Sequence, residues 1–243
     1  MQVLAFDSAT SACSAALWRD GDIVAHRLKP MQRGHGEHLM GMVRAVLADS
    51  GAGFPDLDLL AVTTGPGGFT GLRIGLAAAR GMALAGGLPC IGLSTLEAVA
   101  YGVPQSEREG ACVLAVIDSK RDDIYGQVFS DVSGVSGLQP LGEAEAVSPE
   151  NLAGFVTARS TAGADSGGRV VVAGDATARA LEALRDGRID AVAGTAPTAP
   201  DARTVAAMAA ARWSVGAPLK PLRPLYLRPP DAIKPKDGGR LRP

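Results

Sequence analysis

The segment Gly65-Pro66-Gly67-Gly68-Phe69-Thr70-Gly71 narrows the architecture of this chain more than any other, because it separates an apolar run at 57–63 from a nearly all-apolar helical run at 71–85. Glycines let the backbone approach another backbone or a ligand closely, and proline stiffens the bend. A buried strand, a glycine loop and a helix in succession form a βα unit. The free N–H groups at the start of its helix suit an anion. Thr70 is placed to cap that helix. The Gly-Lys-Ser/Thr of a P-loop is missing, and the glycine spacing is not that of a dinucleotide fingerprint. Two readings stay open: a phosphate cradle at Gly65, Gly67, Gly68 and Thr70, or glycines that only bend the chain.

The helix that follows is apolar nearly all round. Leu72, Leu76, Ala79 and Ala83 form one side, Ile74, Ala77, Ala78 and Ala85 leave little polar surface, and Arg73 and Arg80 mark the one hydrophilic stripe. Such a helix must be covered on both sides. The preceding helix, at 35–49, shows Leu39, Met42, Val43, Val46 and Leu47 at i, i+3, i+4, i+7 and i+8. Met40 and Met42 add adaptable contact surface. The pair reads as an interface or as a thick core. On the interface reading, Leu39, Met42, Val43, Val46, Leu72, Arg73, Leu76, Ala79, Arg80 and Ala83 meet a partner or a second copy. Leu76→Glu or Val43→Asp is then expected to give a folded monomer.

Around this unit the pattern runs twice. Strands are expected at 3–7, 13–19 and 23–28, with a hairpin at Asp20-Gly21-Asp22, and a further strand at 90–93 leads into a helix capped by Ser94 or Thr95. The pattern restarts with strands at 112–118 and 123–130, a loop-rich stretch at 131–150 and a short helix at 151–158. A small polar loop at 160–168, a strand at 170–173 and helices at 176–184 and 204–213 complete it. Two related α/β layers with a cleft between them follow: one lobe over 1–100, completed by a helix at about 202–216, a second over 110–200, and a Pro-rich basic tail over 218–243.

Net charge is −1, so nothing global draws the chain to nucleic acid or membrane; from Lys220 onward, however, seven basic residues face two acids. The three cysteines fit no disulfide or zinc spacing, no leader pattern opens the chain and no apolar run reaches membrane-spanning length. A cytoplasmic protein is expected.

Two further segments carry chemical potential. Asp7 at a strand end, followed by Ser8 and Thr10, could hold phosphate or the water shell of Mg²⁺, or could simply fix a turn. His35, Glu37 and His38 lie close together but lack a third histidine within reach, so capping and surface contacts are favoured over a metal site. No Ser-His-Asp constellation stands out.

Taken in order, LAFDSATSACSAAL, the opening of the helix at His35, TTGPGGFTGLRIGLAAARGMAL, GLSTLEAVA, DSKRDDIYGQVF and PLYLRPPDA resemble the TsaB (YeaZ) family over nearly the whole chain. The resemblance implies a shortened actin/hexokinase/Hsp70-like (ASKHA) fold of duplicated ribonuclease-H-like lobes. It implies a non-catalytic subunit that pairs, through helices 36–49 and 71–85, with a TsaD-like catalytic subunit. A TsaE-like ATPase joins them, and the complex modifies N6 of the adenosine beside the anticodon in tRNA; alone, the subunit is expected to form a homodimer. It also implies no metal and no cofactor of its own. The histidines are not at i, i+4, and residues 172–176 contain one glycine where an adenosine loop would need several. ATP or ADP with Mg²⁺, at a vestigial cleft or a subunit interface, and a self-sufficient small-molecule kinase are the alternatives. The tail after Ala232 reads as solvated, or as touching tRNA phosphates.

Overall fold

Every residue from Val3 to Phe6 is fully buried, which requires a strand covered on both faces in the middle of a sheet. The computed structural model, which describes residues 1–131, 137–160 and 169–228, supplies that sheet. β1 (Gln2–Asp7) lies between β2 (Ala12–Arg19) and β4 (Leu59–Gly65), with β3 (Asp22–Pro30) and β5 (Cys90–Ser94) at the edges, in the order β3-β2-β1-β4-β5. β1, β2 and β3 are antiparallel in turn; β4 and β5 run parallel to β1. The β2–β3 turn has positive φ at Asp20 and Gly21, as its Asp-Gly sequence requires.

α1 (His35–Ser50) and α2 (Phe69–Gly86) cover one face of this sheet, and each ends on a glycine in the left-handed region, Gly51 and Gly87. α3 (Thr95–Gly102) starts at Ser94, whose hydroxyl accepts from Glu97 N at 3.4 Å. After a one-turn helix, α4 (Gln105–Arg108), the topology repeats. β6 (Cys112–Asp118), β7 (Ile124–Asp131), β8 (Leu138–Pro140), β10 (Val170–Ala173) and β11 (Ala191–Ala193) have the order β8-β7-β6-β10-β11, with β9 (Glu145–Val147) also pairing with β7. The loop-rich reading of 131–150 missed β8 and β9, which are too short for any alternation to show.

Helices α5 (Leu152–Ser160) and α6 (Thr177–Asp186) pack on one face of the second sheet. The remaining faces are shared. α3 presses Leu96, Val99 and Ala100 onto Val113, Ala115 and Val171 of the second sheet, while its Ala98 faces the first. The last helix, α7 (Ala202–Arg212), returns to the first lobe, packing Val205, Ala206 and Ala209 against Val3, Ala5, Leu59 and Ala61. Its cap Asp201 is nearly buried, and His26 Nε2 of β3 lies 2.9 Å from its Oδ1. Burial alone would raise the Asp201 carboxyl, but His26 and Arg203 outweigh it and hold the group well below its ordinary range. From Trp213 the described chain contains no further helix and crosses back over α2. No helix among the described residues is long and apolar enough to cross a membrane.

Candidate site at the interlobe cleft and the α1–α2 face

The glycine segment is packed against the chain's own first turn. A Cβ on Gly67 would lie 2.4 Å from Ala9 O, one on Gly71 would lie 2.0 Å from Ser8 O, and one on Gly75 would lie 2.8 Å from Ser8 Oγ. Gly68 N donates to Ala9 O at 2.7 Å, and Ser8 Oγ donates to Gly71 O at 2.9 Å. The close backbone approach that these glycines permit is thus made to the β1–β2 turn. Thr70 does not cap α2. The N-cap is Gly68, without a side-chain bond, and Thr70 sits exposed in the first turn.

Asp7 lies beneath that turn and is fully buried. Its Oδ1 accepts from Thr63 Oγ1 and, at 3.1 Å, from Ala9 N, while Oδ2 has no partner. Burial pushes its carboxyl from the ordinary 3.8 up to about 7, although the Thr63 and Ala9 hydrogen bonds work the other way.

A cleft of about 540 Å³ opens between the lobes, bounded by Ser8, Thr10 and Ser11, by Arg33, His35 and Glu37, by the start of α2, and by Asp118, Lys120 and Asp175 across from them. Asp7 does not line it. Asp118 pairs with Lys120 Nζ at 2.9 Å. Asp175 accepts from Asp118 N at 2.8 Å and from Ser11 Oγ at 3.2 Å, a hydrogen bond that joins the two walls. His35 Nε2 lies 2.8 Å from Thr10 O and must donate to it. Acidic and basic groups alternate around the cleft, and no group of three or more His, Cys, Asp or Glu among the described residues could hold a metal ion. Asp7, considered for the water shell of Mg²⁺, is sealed from this cleft by the turn above it.

Six of the ten residues assigned to an interface lie inside this one chain. Leu39, Val43, Val46, Leu72, Leu76 and Ala79 are at most 2% exposed within this one chain. Most of them join Leu4, Phe6, Leu60 and Val62 in the first lobe's core, and Met42 and Ala83 pack against its margin. The i, i+3, i+4 stripe marks the side of the helix that faces the sheet, so Leu76→Glu and Val43→Asp would break the lobe. Arg73 and Arg80 are exposed, and both hold the C-terminal segment: Arg73 Nε to Tyr226 Oη at 3.3 Å and Arg80 to Leu222 O. The outward face of the pair consists of Met40, Gly41, Arg44 and Ala48 on α1 and Ala77, Gly81 and Leu84 on α2. Leu84, at 86% exposed, is its most prominent apolar side chain. The small polar loop expected at 160–168 (but for Ser160, which ends α5) and the tail after Ala232 lie outside the described residues.

Two sheets of one strand order, each starting from an antiparallel meander and facing the other across a cleft, define the actin/hexokinase/Hsp70-like class. The family model for TsaD, tRNA N6-adenosine threonylcarbamoyltransferase, matches residues 28–157. The Escherichia coli tRNA threonylcarbamoyladenosine biosynthesis protein TsaB is 42% identical over 56% of this chain and 58% of its own length. An uncharacterized Mycobacterium tuberculosis protein is 34% identical over 95% of this chain and 93% of its own. Among solved structures, YeaZ from Pseudomonas aeruginosa superposes with a TM-score of 0.74 at 28% identity, covering 93% of this chain and 99% of that one. The chain belongs to this TsaD-type family, and within it to the TsaB/YeaZ members. It spans little more than half the length of the curated TsaB relatives from E. coli and Haemophilus influenzae that it matches.

Proposed function

We propose that the chain is a non-catalytic partner subunit in the biosynthesis of tRNA N6-threonylcarbamoyladenosine. It acts by docking to a TsaD-like catalytic subunit, with a TsaE-like ATPase and tRNA engaged through the complex. The observation that carries the non-catalytic half of this reading is the packing of Gly67 and Gly71 onto Ser8 and Ala9. That packing accounts for the glycines without a bound phosphate, which a self-sufficient kinase of this fold would need. The family membership supports the pathway.

The docking surface we assign is the outward face of α1 and α2, centred on Met40, Gly41, Ala77, Gly81 and Leu84 in place of the buried stripe. A Cβ on Gly41 or Gly81 would meet nothing within 4 Å, so this face is flat and open to another helix pair. The same face would pair two copies when the chain is alone.

Light scattering after gel filtration tests this, on the chain alone and mixed with the TsaD-like protein of its own organism. We expect a one-to-one complex, and expect Leu84→Glu to abolish it while leaving the circular dichroism spectrum unchanged. A chain that ignores the catalytic relative would overturn the subunit reading. A complex that survives Leu84→Glu would move the interface elsewhere.

A further inference from the structure

Residues 219–228 leave α7 and run as an irregular strap over the first lobe, and their seat there is shaped to receive them. Leu222 packs against the core beneath α2, and its Cδ2 lies 3.0 Å from where a Cβ on Gly92 would stand. Leu225 N donates to Thr64 O at 2.8 Å. Leu225 O would lie 2.7 Å from a Cβ on Gly65, a residue at φ +116° where side chains are disfavoured in any case. Arg73 and Arg80 hold the strap from above, and the Arg73 guanidinium also sits 3.6 Å over the Phe69 ring. All these partners belong to β4, β5 and α2.

Two residues past Tyr226 the strap reaches the other lobe. Arg228 Nη2 lies 2.7 Å from Asp123 Oδ2, in the turn between β6 and β7. That turn follows Asp118 and carries Lys120, both on one cleft wall, while the Tyr226 ring lies 5.3 Å from that of Phe69 on the facing wall. The strap therefore crosses the rim of the cleft. Its landing point is firm, because Arg179 of α6 donates to the carbonyls of Arg121, Asp122 and Asp123, so a pull on Asp123 acts on the second lobe as a body.

The two ends differ in kind. The first-lobe end has a partly buried leucine packed on the core, a backbone hydrogen bond and two glycine-shaped seats. Among the described residues, the second-lobe end has one ion pair, with Arg228 40% and Asp123 17% exposed. Partly exposed pairs are weak, and salt weakens them further.

We propose that the C-terminal strap is a latch on the interlobe cleft, seated permanently on the first lobe and fastened reversibly to the second through Arg228 and Asp123. Opening then requires the loss of that pair together with the Ser11–Asp175 hydrogen bond, and salt favours the open state. The proposal concerns the motion of the lobes and holds whether or not the chain docks to a catalytic subunit.

Amide hydrogen exchange on the full chain tests it, with Arg228→Glu, Asp123→Arg and the double charge swap beside the unaltered protein. We expect each single variant to speed exchange in residues 8–11 and 118–123 by about two- to fivefold, as befits a pair of this exposure. The double swap should restore the original rates, and 0.5 M salt, on the order of a 4 Å screening length, should reproduce the single-variant effect in the unaltered protein and in the double swap, and add little in the single variants. Unchanged rates in both single variants would overturn the latch. So would faster exchange that extends through the buried strands β1 and β4, because the pair would then support the fold as a whole.

Discussion

The two lobes begin alike and diverge at the same places. β1 and β6 are the equivalent central strands, and each ends in an aspartate, Asp7 and Asp118. β4 and β10 are the equivalent parallel neighbours, and each is completed by a glycine at strongly positive φ, Gly65 at +116° and Gly174 at +121°. Yet Asp7 is sealed and its carboxyl is pushed up to about 7 by burial. The Asp118 side chain is 34% exposed in the cleft, and its carboxyl is lowered: burial would raise it, but Lys120 outweighs that. The difference comes from the next helix. In the first lobe, Gly67, Gly71 and Gly75 let α2 close down on the turn above Asp7. In the second, no such run precedes α6, and Asp175 stands in the gap, bonded to Asp118 N and to Ser11 across the cleft. One topology thus holds one silent carboxyl and one available pair, and glycine spacing decides which is which.

The largest expected effect tests whether both closures are equally exacting. Gly71→Ala places a Cβ 2.0 Å from Ser8 O, and Gly174→Ala places one 1.9 Å from Val116 O at a φ that alanine rarely adopts. Each should cost about 3 kcal/mol or more of unfolding free energy, read from urea midpoints. A loss below about 1 kcal/mol in either lobe would show that its turn can yield, and would break the parallel.

Next in size is the pH response of the two aspartates, which should have opposite signs. In the folded protein Asp7 keeps its proton up to about 7, while the unfolded chain releases it near 3.8. Its contribution to stability is therefore complete below 3.8 and declines as pH rises through 7. Asp7→Asn does not titrate, so its stability relative to the unaltered protein should improve by a few kcal/mol as pH rises from 4 to 8. Asp118 is lowered, so its contribution is present above the ordinary carboxylate range and fades as pH falls. Asp118→Asn should therefore cost a little at pH 7, at most about 0.5 kcal/mol for so exposed a pair, and nothing in acid. Parallel pH curves for the two variants would remove the contrast.

The smallest effect isolates the glycines that do not touch the turn. Gly81 is on the same helix as Gly71, but a Cβ there meets nothing. Gly81→Ala should stabilise by about 0.5–1 kcal/mol through helix propensity alone. A loss of partner binding in that folded variant would support the outward face of α2 as the docking surface.

Much of the architecture could be read in the residues. Runs of branched apolar residues marked β1, β4, β6 and β10 to within two residues, and the spacing of Leu39, Val43 and Val46 marked the inner side of α1. The second half also repeats the first in letters: Val-Leu-Ala-Phe-Asp-Ser at 3–8 returns, one residue longer, as Val-Leu-Ala-Val-Ile-Asp-Ser at 113–119. That repeat was the available signal for Asp118. Lys120, two residues on, and Asp175, after the positive-φ glycine, follow from the same parallel. The strap gave a weaker signal: its prolines excluded helix, and nothing local could indicate that Leu222 and Leu225 return to Gly92 and Gly65.

The sequence by itself determined the longer strands and helices, the duplicated order and the apolar stripes of α1 and α2, because these depend on backbone preferences and on periodicities of 2 and 3.6 residues. Only the tertiary structure decided what the stripes and glycines face. The stripe of α1 and α2 meets the first lobe's own sheet, the glycines of 67–75 meet the chain's own turn, and Arg228 meets Asp123 of the opposite lobe. Burial, pKa and the use of a close approach depend on which distant residue occupies the space, and that is settled only when the whole chain packs.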